Sequence, residues 1–142
     1  MPDQRTAGAP PARTAIAARN TYLDALMHLA DGGCIRIYTG PQPETPETPA
    51  SGTLLATGTL PTPAFVPAVD GIASATGVEG WIDEDGVPGW FRVFQADGVT
   101  PVWDGTCGTA DANLLFDSVP LVAGARLTFS AFVHAAPIGV GQ

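Results

Sequence analysis

Trp90-Phe91-Arg92-Val93-Phe94 is the densest aromatic run in the chain, with strand-forming sequence on both sides. Side chains alternate along a strand, so Phe91 and Val93 share one face while Trp90, Arg92 and Phe94 share the other. Both faces carry large apolar groups, which predicts a central strand covered on each side. Ala96-Asp97-Gly98 is a turn signal, and Val99 to Val102 restarts a β run, so the segment reads as half of a hairpin.

Outward from this strand, the same punctuation recurs. Cys34-Ile35-Arg36-Ile37-Tyr38-Thr39 reads as a strand with Ile35 and Ile37 on one side. Further strands are expected at 53–60, 64–66, 71–76, 78–82, 100–108, 113–116 and 125–134. In the last, Leu127, Phe129, Ala131 and Val133 alternate with Thr128, Ser130, Phe132 and His134, which predicts that the first set faces the core. Short strands at this spacing indicate a sandwich or barrel, and the reading taken is an antiparallel β-sandwich, jelly-roll or immunoglobulin-like, occupying residues 32–142. The tail at 139–142 is expected to be loose.

Two pieces precede it. Residues 1–12 (MPDQRTAGAPPA) have no face with which to build a core and read as an extended arm held by a partner. Residues 13–31 read as an amphipathic helix with Thr14 as candidate N-cap and Gly32-Gly33 as the stop. Its apolar stripe is Ile16, Leu23, Leu26, Met27 and Ala30. Ile16, Leu23, Leu26 and Met27 are the candidate partner-binding residues, although ordinary core packing requires the same stripe.

Composition bounds the function. A chain of 142 residues suffices for one domain that buries roughly 70% of its unfolded surface without metal or disulfide. Only 14% of its residues are charged, against roughly 25% in ordinary soluble domains, which suggests a surface partly covered in an assembly. The 17 glycines and 14 prolines favour turns over long helices. The net charge is −8 and every basic residue is an arginine. Arg36, Arg92 and Arg126 are scattered, so no patch for a phosphate backbone is expected and nucleic acid is not a predicted partner. No run approaches the ~18 apolar residues of a membrane span, and the N-terminus has no secretory pattern.

The groups suited to carry chemistry are sparse. Asp83-Glu84-Asp85-Gly86 is a fragment of a calcium loop without its remaining ligands, and Gly86 equally marks a turn, so no metal site is assigned to Asp83 or Asp85. His28 precedes Cys34 by six residues, but nothing local activates the thiol. Cys34 and Cys107 read as buried free thiols. His134 is expected on the outer face of the last strand, without a nameable partner. Gly105-Thr106-Cys107-Gly108 lacks the lysine of a phosphate-binding loop. The tandem Pro-Glu-Thr unit within 40–49 reads as a solvated connection. Trp81, Trp90 and Trp103 would suit a sugar-stacking platform, or the packing for which tryptophan is more commonly used. No catalytic residue and no cofactor is predicted.

The order of features resembles a family of small virion proteins of tailed bacteriophages and prophages. The matching pieces are Arg19-Asn20-Thr21-Tyr22-Leu23-Asp24-Ala25-Leu26, Ile35-Arg36-Ile37-Tyr38-Thr39-Gly40, Thr53-Leu54-Leu55-Ala56 and Pro63-Ala64-Phe65. They continue with Gly89-Trp90-Phe91-Arg92-Val93, Asp97-Gly98 and Val122-Ala123-Gly124-Ala125, so the likeness spans roughly 19–134. The resemblance implies a non-enzymatic structural component of the virion, assembled in the bacterial host cytoplasm. Capsid decoration or cementing is the first expectation, with the major capsid protein as partner and a homo-oligomer as the working form. Neck or tail is second. The competing class is a carbohydrate-binding β-sandwich module.

Overall fold

The computed structural model describes residues 12–75 and 77–135. Of the arm expected at 1–12 all but Ala12 lies outside them, as does the tail at 139–142. One helix, α1 (Ile16–His28), is followed by β1 (Cys34–Tyr38), β2 (Leu54–Thr59), β3 (Ile72–Ser74) and β4 (Glu79–Ile82). β5 (Trp90–Phe94), β6 (Pro101–Gly108), β7 (Leu114–Leu115) and β8 (Ala131–Ala135) complete the order. The mainly β expectation holds. The eight strands join in a single sheet, β3-β8-β7-β6-β5-β1-β2-β4, curled into a half-barrel. Every neighbouring pair is antiparallel except β6 and β7, which run parallel.

β5 is central and buried along its whole length, as its two apolar faces require. It pairs with β6 across the 95–100 turn, where Asp97 accepts the backbone N–H groups of Val99 and Thr100. Its other neighbour is β1, with Arg36 opposite Arg92 and Tyr38 opposite Trp90. Phe91 and Val93 enter the main core with Ile35, Ile37, Leu55, Trp103, Leu114 and Phe132. Trp90, Arg92 and Phe94 form a separate layer on the opposite face. There Trp90 stacks on Tyr38 at 4.4 Å, and the guanidinium groups of Arg36 and Arg92 lie over Phe94 and Trp90.

The edges of the curled sheet are covered by irregular segments of the same chain. Along β4, Ile82 N–H donates to the Ala125 carbonyl and Leu127 N–H to the Gly80 carbonyl. Along β3, Val66 N–H donates to the Ser74 carbonyl, and Phe65 bridges Ala75. An open edge would leave such backbone groups exposed as a template for pairing.

Three local expectations are corrected. The N-cap is Ala15 rather than Thr14, with no side-chain cap bond. Of 64–66, only Phe65 makes a β-bridge. The strand expected over 125–134 is regular only from Ala131, because 124–127 pairs with β4 and Ser130 N–H goes to the Leu115 carbonyl. That break shifts the alternation by one residue. Phe132 is therefore buried while Val133 is 43% exposed.

Candidate docking surface

Helix α1 lies on the sheet with Leu23, Met27 and Ala30 in the core. A row of polar side chains beside that stripe does a second job. Asn20 Oδ1 accepts the Gly71 N–H at 2.8 Å, Asp24 Oδ1 accepts Ala68 N–H at 2.7 Å, and Asp31 Oδ1 accepts Ala64 N–H at 2.8 Å. The helix and the turn that follows it thus supply acceptors to a loop that has no strand to pair with over most of its length, as part-buried backbone donors require. Asp31 Oδ2 also meets His28 Nδ1 at 2.9 Å, and this bond raises the pKa of the exposed imidazole.

The four candidate docking residues separate. Leu23 and Met27 are buried in the chain's own core, Leu26 is half-buried against it, and Ile16 is 50% exposed at the first turn. A different set faces outward. Ala18, Tyr22, Ala25 and Leu29 are all exposed, Tyr22 at 56% and Leu29 at 47%. Their spacing of i, i+4, i+7 and i+11 was legible, but the inner stripe competes with it for the same helical period.

The tryptophans do not assemble into one platform. Trp90 is fully buried, and Trp103 packs among Phe65 and Phe132. Trp81 is 57% exposed, with the Arg126 guanidinium 5.5 Å from its ring centre and Glu79 3.9 Å from Arg126.

The acidic run is built into backbone connections. Asp83 and Glu84 donate their N–H groups to the Leu55 carbonyl, Asp85 Oδ1 accepts Ala123 N–H at 2.7 Å, and Gly86 bridges Leu121. Among the described residues no three His, Cys, Asp or Glu side chains converge as metal ligands. Cys34 and Cys107 are free and half-buried, and burial raises both thiols, Cys107 to about 12. A thiolate nucleophile is therefore disfavoured at both. His28 is turned to Asp31, not to a nucleophile. His134 is not on an outer face: it is half-buried, its ring lies tilted against Trp103 with centroids 5.0 Å apart, and burial lowers its pKa.

The Pro-Glu-Thr loop is tied down far more than a solvated connection would be. Arg92 is buried at the centre of β5, its Nη1 donating to the Thr48 carbonyl at 2.7 Å and its Nη2 to the Thr45 carbonyl at 3.2 Å. Nη2 also pairs with Asp104 of β6 at 3.3 Å, and Gln42 Nε2 donates to the other Asp104 oxygen at 2.6 Å. Thr45 and Thr48, one from each repeat of the unit, bond to each other through hydroxyl and backbone groups. The repeat builds a turn whose carbonyls accept from both Nη atoms of a buried cation.

Comparison with protein-family models, with curated proteins and with solved structures finds no match to this chain.

Proposed function

We propose that the protein is a non-enzymatic structural component of a tailed-phage virion. Its first location is the capsid surface, as a decoration or cement protein docked on the major capsid protein. Neck or tail is the second. The proposal includes the finer architecture of an antiparallel sandwich, jelly-roll or immunoglobulin-like, with the curled sheet folded over its own core.

The observation that carries this reading is the clamped helix. Asn20 and Asp24 of α1 and Asp31 just beyond it bond the backbone of 64–71, and the Leu23–Met27–Ala30 stripe packs in the core, while Ile16 stays exposed at the start of the helix. A helix held in place in this way, with an apolar side chain exposed at its start, suits docking on a repeated surface. A net charge of −8 without lysine suits a position away from packaged nucleic acid.

The test is the copy number per purified particle from the host that carries the gene, by quantitative mass spectrometry. A count on the order of hundreds supports capsid decoration, and about a dozen moves the protein to the neck or tail, where ring symmetry sets the number. Absence from the particle overturns the reading. A glycan-binding module is the alternative favoured by the exposed Trp81. It requires binding on a glycan array that Trp81→Ala abolishes.

A further inference from the structure

Three of the six arginines, far apart in the sequence, fall into one row across the outer face of the sheet. Residues directly opposite each other on antiparallel strands project to the same side. The row runs from Asp104 on β6 through Arg92 on β5, Arg36 on β1, Thr57 on β2 and Trp81 on β4 to Arg126 on the segment that covers the rim.

The two halves of the row differ. Arg92 and Asp104 answer each other beneath the 45–48 turn and are closed to solvent. Arg36 lies directly opposite Arg92, a like-charge pair that costs stability unless something negative is near. Its guanidinium sits 4.5 Å over the Phe94 ring and beside the Tyr38 hydroxyl, and among the described residues it forms no ion pair. At the far end Arg126 meets Glu79 at 3.9 Å, beyond hydrogen-bond distance. Both side chains are more than half exposed, so that pair contributes little and exchanges readily. Between the two cations lie the half-buried Thr57 and the exposed Trp81 ring. Arg126 also borders a recess of about 210 Å³ lined by Asp117, Ser118 and Thr128.

An exposed indole flanked by two available guanidinium groups defines a chemistry. The electron-rich ring face attracts the C–H face of a pyranose, and the planar fork of each arginine matches a carboxylate. Strand spacing sets the backbones of Arg36 and Arg126 about 14 Å apart, so the two forks hold acid groups on separate sugar units of one chain. A polyphosphate strand is a poorer match. It carries a charge on every unit and stacks successive bases, whereas this row offers one ring on a chain of net charge −8.

We propose that the strip Arg36–Thr57–Trp81–Arg126 binds an acidic polysaccharide. Trp81 stacks on one sugar, while Arg36 and Arg126 hold carboxylates on either side of it. The inference rests on the glycan-binding alternative and gives it a ligand class; it does not depend on the virion reading. An open strip suits a chain lying across the sheet, where a small molecule would need an enclosing cavity.

The full chain is applied to an array of oligosaccharides bearing glucuronate, galacturonate or sialate, each beside its carboxyl-reduced counterpart, with oligo(dT) as a polyphosphate control. Binding is expected on acid-bearing members, and carboxyl reduction is expected to weaken it at least about tenfold, the loss of a charge-assisted pair. Arg36→Gln and Arg126→Gln should each have a similar effect, and Trp81→Ala should abolish binding, with circular dichroism unchanged. Arg126 is exposed, so its variant carries the test should Arg36→Gln disturb the fold. Silence across the array overturns this inference and the glycan alternative together. Binding indifferent to carboxyl reduction and to Arg126→Gln overturns the acidic ligand alone and leaves a neutral glycan. Tighter binding to oligo(dT) than to any sugar overturns the inference in favour of single-stranded nucleic acid.

Discussion

Arg92 shows how much one side chain can hold in place. Its guanidinium joins β5, β6 and the 45–48 turn, with both it and Asp104 nearly inaccessible to water. Arg92→Ala leaves the Asp104 carboxylate buried without its cation, which costs about 3–5 kcal/mol. Replacing both by apolar residues of similar volume, Arg92→Met with Asp104→Leu, is expected to cost much less in a urea titration. The histidines make opposite predictions. His134 has a lowered pKa, so below the unfolded value of roughly 6.5 the unfolded chain takes up its proton first. Stability therefore falls with pH until the folded imidazole titrates, and His134→Phe removes that slope. His28 has a raised pKa, so its contribution is complete below the unfolded value and is lost as pH rises through the folded one. Proton NMR should place the two titrations on opposite sides of the ordinary value, with Asp31→Asn bringing His28 back towards it. The pairing of Arg92 was not legible in the sequence. Alternation placed it opposite Phe91 and Val93, but its partners come from a loop more than 40 residues earlier. His134 was misplaced by the one-residue slip before Ala131, which an unbroken alternation pattern conceals.

Elements were easier to read than their roles. The helix, the central strand and its hairpin are where period and turn chemistry put them, because these signals are local. The helix start was misjudged because Thr14 offers a capping hydroxyl that the chain does not use. Its function in the fold was missed for a different reason. Asn20, Asp24 and Asp31 look like a solvated polar face, yet they are the acceptors for 64–71. Asn20→Ala and Asp24→Ala should each cost about 1–3 kcal/mol, because each leaves a part-buried N–H without its acceptor. Hydrogen exchange at Gly71 and Ala68, respectively, should quicken in step. If both amides exchange as in the wild type, the helix is held by its apolar stripe alone.

At the scale of the whole molecule, sequence pattern predicts strands but not their neighbours. Nothing in the period of β1 says that it lies between β5 and β2, or that β7 joins β6 in parallel. The β1–β5 pairing depends on close approaches that single glycines permit at its two ends. A Cβ on Gly33 would sit 2.0 Å from the Phe94 carbonyl oxygen, and one on Gly89 would sit 1.9 Å from that of Gly40. Gly33→Ala and Gly89→Ala must therefore move backbone and should each cost about 3 kcal/mol or more. A midpoint shift near zero in denaturant for either would mean that the strands separate there more easily than their pairing implies.

The covered rims of the sheet bear on life in a crowd. Both end strands already have their backbone groups engaged by 64–69 and 121–127. A neighbouring copy pressed against either rim finds few main-chain donors or acceptors to seize. Molecules of this chain can therefore be stored at high density without their sheets fusing into a common ladder. What joins them must come from side chains, and side-chain contacts can be undone.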